Sequence, residues 1–215
     1  MTTVEARPIP PMPLLRRVVK AGLRPYMWLF HRLELAGSEN VPKRGPAIIV
    51  LNHASLLDVP ALMLLDPFPN TITVVKASMF KLPIISWALR RWGALPVERA
   101  GRDSTSVRMM LSHLRSGGVI AVAAEGRRTR SGRLEAINPV LARIAASAGV
   151  PILPLGISGS FRALPPGALF PRPVKILVRA GPVFFIERGT DVATAAERIR
   201  GEIAALLPPE MQPID

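Results

Sequence analysis

Two side chains in the segment NHASLLD at residues 52–58, His53 and Asp58, could together carry out acid–base chemistry. An imidazole can take a proton from an alcohol, and a carboxylate bonded to its other nitrogen fixes the tautomer and stabilises the protonated ring. Positions five apart on one continuous helix point about 140° away from each other. The pair can therefore meet only if His53 lies in a loop and Asp58 in the first turn of the next helix. Such a pair could deprotonate an alcohol substrate directly.

The same segment also has a purely structural interpretation. Ser55 and Asp58 have the spacing of a helix capping box, in which a side chain in the first turn bonds back to the N-cap residue. Asp58 would then cap a helix, and His53 would be an ordinary loop histidine. This spacing is common by chance, and taken alone it favours the structural interpretation. The other two histidines, His31 and His113, are expected to be structural.

Positive charge is concentrated after two further predicted strands. The segment EGRRTRSGR at residues 125–133 holds four arginines and two glycines, and the segment WGALPVER at 92–99 ends on Arg99. Guanidinium groups pair bidentately with phosphate, so both segments could bind a phosphorylated substrate. Solvated surface arginines are the alternative for each segment alone. Three successive strand ends that carry a base and two cationic segments favour one site for an anionic substrate.

The elements that must position these residues alternate along the chain. Strands are predicted at 47–51, 71–76, 94–97, 119–123, 150–157, 175–180 and 183–186. Helices are predicted at 14–33, 55–65, 84–92, 103–116, 139–148 and from about 190 to 207, and a proline-rich loop at 163–173. This alternation predicts an α/β fold with a largely parallel, mixed sheet flanked by helices, and with functional loops at the carboxyl ends of its strands. Two prolines in the strand at 150–157 favour an edge strand or a bulge.

Residues 1–34 are predicted to form an N-terminal amphipathic segment that precedes a catalytic domain at 35–215. Apolar residues recur at helical spacing, with Arg16, Lys20 and Arg24 on the polar side, and Pro25 is expected to kink or divide the helix. A basic face opposite an apolar face suits a helix that lies in a membrane interface. A helix docked on its own domain, with its arginines in solvent, is the alternative.

Composition narrows the classes of partner. The net charge is +13, and it is concentrated in residues 1–46, with 8 basic and 3 acidic residues, and in residues 76–133, with 12 and 3. Such a field attracts lipid headgroups, phosphorylated substrates or nucleic acid. Aromatic residues make up only 5% of the chain, and no recognition motif occurs, which argues against nucleic acid. The absence of cysteine excludes disulfides, thiol catalysis and cysteine-ligated zinc.

No segment reaches the roughly 18 to 20 apolar residues that a spanning helix needs. The N-terminus also lacks the early basic region and the unbroken apolar run of a signal peptide. We therefore expect a peripheral, monotopic protein on the cytoplasmic side of the cell membrane.

Taken in order, the motifs resemble those of the glycerolipid acyltransferases, especially the bacterial 1-acylglycerol-3-phosphate acyltransferases. Asn52-His53-x4-Asp58 resembles the first motif, the HxxxxD signature of the family. Residues 76–87 followed by 93–99 resemble the second motif, with Arg99 at its arginine. Glu125-Gly126-x-Arg128 resembles the third, which is usually EGTRS, and residues 150–155 resemble the fourth. The resemblance extends from about residue 35 to about residue 160.

This resemblance implies transfer of a fatty acyl group from acyl-CoA or acyl-carrier protein to the free hydroxyl of lysophosphatidic acid. It implies His53 as general base and Asp58 as the residue that orients it. The remaining implied roles are binding of the acceptor headgroup and phosphate by Arg99, Glu125, Gly126 and Arg128, and shaping of the acyl site by Pro154. The implied partners are an anionic bilayer, the lysophospholipid acceptor and the acyl donor. No cofactor or metal ion is expected.

The sequence departs from the family pattern around the third motif. Ala123-Ala124 replaces the usual Phe-Pro, Arg127 and Thr129 replace Thr and Ser, and residues 137–140 replace Phe-Lys-x-Gly. The missing lysine removes one expected phosphate contact. These departures leave two alternatives open: an acyltransferase for another lysolipid or a glycolipid, and a non-catalytic peripheral lipid-binding protein.

Overall fold

A computed structural model describes residues 13–65, 68, 70–97 and 104–214 of the chain. Helices α1 to α7 span Pro13–His31, Asp58–Leu65, Pro83–Trp92, Ser104–Arg115, Pro139–Ala148, Ser160–Ala163 and Val192–Ala204. Strands β1 to β7 span Glu34–Ala36, Ala47–Leu51, Thr71–Lys76, Ala94–Val97, Val119–Ala123, Ile152–Ser158 and Leu177–Ala180. Short 3-10 turns lie at Ser38–Asn40, Ala77–Lys81 and Pro209–Met211. Within these described ranges, no helix has both the length and the apolar character needed to cross a bilayer.

The strands form one seven-stranded sheet with the order β1-β7-β6-β2-β5-β3-β4. All neighbouring strands are parallel except β6 and β7, which pair antiparallel. The predicted α/β fold with a largely parallel, mixed sheet is therefore confirmed. Because β2, β5, β3, β4 and β6 run in the same direction, the segments that follow them all leave from one edge of the sheet. We call it the carboxyl edge.

Helices cover both faces of the sheet, with β2 near its centre. Every residue of β2 is buried, and alternate side chains enter two separate hydrophobic cores. Ile48 and Val50 pack with residues of α4, α5 and α7, whereas Ile49 and Leu51 pack with residues of α1 and α2. This burial on both sides explains why β2 is an unbroken apolar run without polar alternation.

Of the two alternatives for residues 150–157, an edge strand or a bulge, the edge strand is wrong. The observed strand, β6, lies inside the sheet between β2 and β7. Its Pro154, which has no N–H to donate, lies between the ladder with β7, which starts at Leu155, and an isolated bridge between Ile152 and Phe184. The predicted strand at 183–186 is also wrong, because its only pairing within the described chain is that bridge. An irregular neighbouring segment thus accommodates the proline in an interior strand.

The N-terminal helix α1 packs on the domain through an arginine that was expected on its polar side. Arg16 is only 6% exposed and donates to the backbone oxygens of Phe68, Thr71 and Trp92 at 2.7–2.9 Å. Its guanidinium also lies over the ring of Trp92, 5.0 Å from the centroid. Buried carbonyl groups need donors, and this side chain supplies them. The helix continues through Pro25 as one element and does not divide there.

Apolar side chains of α1 remain in solvent even though the helix is docked. Met27 is fully buried, but Val18, Trp28 and Leu29 are 62%, 66% and 70% exposed. The structure therefore combines features of both interpretations: the helix docks on its own domain and still presents an apolar surface. Its role in membrane association stays a prediction.

Candidate active site

His53 and Asp58 have the geometry that their spacing required. His53 lies in the loop after β2, and Asp58 is the first residue of α2. Nδ1 of His53 and Oδ2 of Asp58 are 2.9 Å apart. Because an ionised carboxylate can only accept, Nδ1 carries the proton of the neutral ring and Nε2 is the atom that can take another. The imidazole is one-fifth exposed, whereas the carboxylate is buried.

The carboxylate of Asp58 also caps the start of its helix, so the two interpretations of the segment are compatible. Besides the imidazole, its Oδ2 accepts hydrogen bonds from the backbone N–H groups of Ala54 and Ser55, both at 2.8 Å. The Ser55 hydroxyl oxygen in turn accepts from Leu57 N at 3.2 Å. The backbone of the loop and the ring of His53 are thus held by one oxygen atom.

Neighbouring strand ends fix the backbone of this loop. The side-chain amide of Asn52 makes two bonds to Ile157 of β6, donating to its oxygen at 2.9 Å and accepting from its nitrogen at 2.7 Å. The oxygen of His53 accepts from the backbone N–H of Thr129 at 2.8 Å. Sequence reasoning assigned no role to Asn52 or Thr129. The position of Asn52 directly before a loop histidine was the available signal.

Glu125, in the segment after β5, contacts the backbone of His53. Its Oε2 accepts from the backbone N–H of His53 at 3.1 Å, and its Oε1 is buried without a hydrogen-bond partner among the described residues. Burial raises the pKa of Glu125 to about 8, and hydrogen bonds from backbone N–H groups oppose part of this rise. The carboxyl group therefore contacts the backbone that carries the imidazole. Its predicted contact with an acceptor headgroup stays a prediction.

Gly126 is required by its backbone conformation and by close packing. Its φ is +69°, and a Cβ atom at this position would lie 2.5 Å from Nδ2 of Asn138. Asn138 is itself fixed as the N-cap of α5, where its Oδ1 accepts from Val140 N at 2.9 Å. Only glycine can bring the loop after β5 this close to the start of α5.

The cationic residues differ in how they are engaged. Arg127 forms an ion pair with Glu135 at 2.8 Å, whereas Arg128 is exposed. Both line a cavity beside His53, together with Lys76 at the end of β3, which sequence reasoning gave no role. Its charge at the end of a predicted strand was the available signal. Arg99 lies outside the described residues, so its predicted role stays a prediction.

The cavity, of about 690 Å³, lies where the sheet divides. β5 pairs with β2 over its whole length, but it pairs with β3 only from Thr71 to Thr73. β3 and β5 therefore separate toward the carboxyl edge. Residues 74–76 of β3 and 122–123 of β5 line the space, and apolar side chains of α2, α4 and α5 complete it. The lining does not include Pro154, which lies in β6 beyond β2. A long apolar chain could occupy this cavity next to His53.

The fold and the site indicate a class of protein, an α/β enzyme that activates a hydroxyl group with a histidine base. An α/β domain presents an imidazole that a buried carboxylate orients, beside an apolar cavity with cationic residues. This arrangement can activate a hydroxyl group next to a lipid chain. Among the described residues, no group of three or more histidine, aspartate or glutamate side chains is placed to hold a metal ion.

Comparison with known proteins agrees with this class. The model of the acyltransferase family matches residues 32–158, and the chain belongs to this family. The family inferred from the ordered motifs is thereby confirmed.

The chain is similar to several proteins named 1-acyl-sn-glycerol-3-phosphate acyltransferase. A chloroplastic 1-acyl-sn-glycerol-3-phosphate acyltransferase of Arabidopsis thaliana is 30% identical over 65% of this chain and 39% of its own length. A protein of the same name from Borreliella burgdorferi is 26% identical over 64% of this chain and 56% of its own length. The chain therefore spans from about two fifths to just over half of these relatives.

The overall fold also has a solved counterpart. The crystal structure of the 1-acyl-sn-glycerophosphate acyltransferase of Thermotoga maritima has a TM-score of 0.73 and 25% sequence identity. The similarity covers 87% of this chain and 78% of that protein.

Replacement of Glu125 by glutamine tests the burial of its carboxyl group. Because burial raises the pKa from 4.5 to about 8, the folded protein keeps a proton that the unfolded chain releases between these pH values. This group therefore makes stability fall as pH rises through that window, by at most about 1.4 kcal/mol per pH unit. We expect Glu125→Gln to lose this component, so that its stability relative to the wild type increases from about pH 5 to about pH 8. Urea unfolding at both pH values measures it, and parallel pH profiles would contradict the assignment.

Proposed function

We propose that this protein transfers a fatty acyl group from an acyl thioester, either acyl-CoA or acyl-carrier protein, to the free hydroxyl of lysophosphatidic acid. The observation that carries the proposal is the 2.9 Å contact between His53 and the buried Asp58, next to an apolar cavity. Membership of the acyltransferase family and the names of its relatives support the reaction type. The product of this reaction is phosphatidic acid.

In the proposed reaction His53 acts first as a base. Nε2 takes the proton of the acceptor hydroxyl while Asp58 holds Nδ1–H and stabilises the charged ring. The acceptor oxygen attacks the thioester carbonyl, and the tetrahedral intermediate then breaks its carbon–sulfur bond. The leaving thiolate receives the proton from Nε2, so an ester and a free thiol result. General-base assistance of this kind contributes about 10²- to 10⁴-fold in rate.

The cavity and the nearby cations suit the two parts of an amphiphilic acceptor or donor. An acyl chain would occupy the apolar space between β3 and β5, where the sheet divides. The phosphate of the acceptor would meet Arg128, with Arg99 and Lys76 as further candidates. Arg128 is better supported than Arg127, which also lines the cavity but is already paired with Glu135.

An acceptor without phosphate is the second candidate. Where relatives of this family often have a lysine after the third motif, this chain has Asn138, and the structure uses that side chain to cap α5. The position therefore supplies no cation. A lyso-ornithine lipid or a glycolipid acceptor would fit a site with this reduced charge.

The proposal includes peripheral binding to the cytoplasmic face of an anionic membrane, which would supply the acceptor. Leu82, Ile84 and Trp87, in and just before α3, are 52%, 82% and 57% exposed, and α1 contacts α3. The exposed apolar residues of α1 and α3, with nearby basic side chains, match the composition of an interfacial surface. Removal of α1 would not test this binding cleanly, because it would also uncover the core around Met27.

Replacement of His53 tests the proposed base. We expect His53→Ala to lower kcat by at least about 100-fold, because the general-base assistance that Nε2 gives in the proposed reaction is lost. The assay combines labelled acyl-CoA or acyl-carrier protein with a panel of lysolipids, and urea unfolding verifies the fold of each variant. His113→Ala serves as the matched control, because this imidazole bonds to Asn70 O away from the cavity. Full turnover by His53→Ala would contradict the mechanism.

Replacement of Arg128 distinguishes the two kinds of acceptor. Charge-assisted hydrogen bonds to phosphate are strong, so Arg128→Gln should lower kcat/KM for lysophosphatidic acid by about 10- to 100-fold. A phosphate-free acceptor should be affected much less. Arg188→Gln, a surface variant at the far end of β6, is the control. An equal loss with both acceptors would show that Arg128 does not bind the phosphate.

A further inference from the structure

A loop at residues 164–173 carries two apolar side chains almost entirely in solvent. Leu169 is 88% exposed and Phe170 is 81% exposed. They are adjacent at the tip of the segment between α6 and β7. Scattered surface apolar residues need no explanation, but two large neighbouring ones at a loop tip indicate a contact surface.

Local backbone hydrogen bonds fix the shape of this loop. Arg172 N donates to Ala163 O at 2.7 Å, which closes the base of the loop, and Ala168 N donates to Pro165 O at 3.0 Å, which forms a turn inside it. Prolines at 165, 166, 171 and 173 restrict the remaining backbone. The tip is therefore preorganised, and little conformational entropy would be lost on binding.

The loop is attached directly to the candidate active site. Its first residue, Leu164, accepts a hydrogen bond at its oxygen from the Ser55 hydroxyl at 2.9 Å, between His53 and Asp58 in the chain. Just beyond its other end, Val174 O lies 3.2 Å from Nδ1 of His31, the last residue of α1. The loop thus connects the turn that holds the imidazole with the end of the N-terminal helix.

The topology places apolar groups on both sides of His53 at the carboxyl edge. β6 is parallel to β2, so the loop leaves from the edge at which His53 lies. β3 runs in the same direction, and the exposed Leu82 and Ile84 follow it. In the strand order, β6 lies on one side of β2 and β3 lies on the other. Leu56, beside His53 itself, is 52% exposed.

The charge around the tip favours an anionic lipid surface as the partner. Arg162, two residues before the loop, and Arg172, within it, are exposed. No aspartate or glutamate occurs between Glu135 and Glu187, so all charged residues in this part of the chain are basic. Apolar side chains flanked by arginines suit the boundary between anionic headgroups and acyl chains.

We propose that Leu169 and Phe170 insert into an anionic bilayer and form a second membrane contact, on the opposite side of His53 from α3. The two contacts would hold the carboxyl edge against the membrane, so that an amphiphilic acceptor reaches Nε2 without leaving the lipid phase. This inference deepens the proposed function and rests on it for the identity of the acceptor. The insertion itself can be measured without catalysis.

The cysteine-free chain allows a site-specific test. Phe170→Cys, labelled with the environment-sensitive fluorophore NBD, should shift its emission to the blue on addition of phosphatidylglycerol/phosphatidylcholine vesicles. Lipid-soluble quenchers should then quench it. The control is NBD at Phe185→Cys. Phe185 is 64% exposed and lies next to the Ile152–Phe184 bridge, at the amino-terminal end of β6 and so opposite the carboxyl edge. This control should stay in water. Vesicles of phosphatidylcholine alone should give a weaker response at position 170.

A double variant tests the contribution of the two side chains to binding. Leu169→Ser/Phe170→Ser should weaken partitioning onto anionic vesicles by at least about tenfold, measured by vesicle sedimentation. Transfer to an acceptor embedded in vesicles should fall with it, whereas transfer to a monomeric short-chain acceptor should not change. Urea unfolding verifies that the variant is folded.

Several results would overturn the proposal. The first is an NBD group at position 170 that stays in water while the protein is bound to vesicles. The second is equal insertion at positions 170 and 185, and the third is a double variant that partitions like the wild type. A response at position 170 to acyl-carrier protein but not to vesicles would assign the loop to a protein partner instead. If the wild type transfers no acyl group to any acceptor, the proposed function fails, and the NBD measurement still decides the insertion.

Discussion

The site depends on one oxygen atom, Oδ2 of Asp58, which accepts hydrogen bonds from the His53 ring and from two backbone N–H groups. A carboxylate buried in a protein needs such donors, because it has lost its contacts with water. By collecting them, Asp58 determines three things: the shape of the loop after β2, the first residue of α2, and the ring nitrogen that carries the proton. A residue that would pass for a helix cap in isolation thereby orients the candidate base.

The rest of the domain keeps this small unit in place and surrounds it with suitable surfaces. Asn52 attaches the loop to β6, and Glu125 and Thr129 attach the backbone of His53 to the segment after β5. The separation of β3 from β5 opens an apolar cavity on the same edge. Because the parallel strands end together, a base, a space for a lipid chain and basic side chains meet without any of them being close in sequence.

Local signals in the sequence predicted the features that depend on neighbouring residues. The strand at 47–51 and the helix that begins at Pro139 are examples, because an apolar run and a proline in the first helical turn are short local patterns. The geometry of a contact between His53 and Asp58 was predictable for the same reason, although their spacing alone did not decide whether the contact forms.

Features that depend on distant partners could not be predicted. Arg16 falls on the polar side of α1 by periodicity, but the carbonyl groups it serves are more than 50 residues away in sequence. Pro154 favours an edge strand or a bulge by its missing N–H, and the sequence does not show that β6 lies inside the sheet beside an irregular segment. The contact of Glu125 with the backbone of His53 could likewise not be predicted, because the third motif indicated only that Glu125 belongs to a binding site.

The ring nitrogen of His53 that carries the proton can be identified by NMR. Nitrogen-15 NMR of histidine-labelled protein, with the His53 signals assigned from their loss in His53→Gln, shows which ring nitrogen is protonated at a pH where the ring is neutral. We expect the proton on Nδ1, facing Asp58, and no proton on Nε2. A proton on Nε2 would contradict the proposed mechanism, because that nitrogen could then not accept the proton of a lipid hydroxyl.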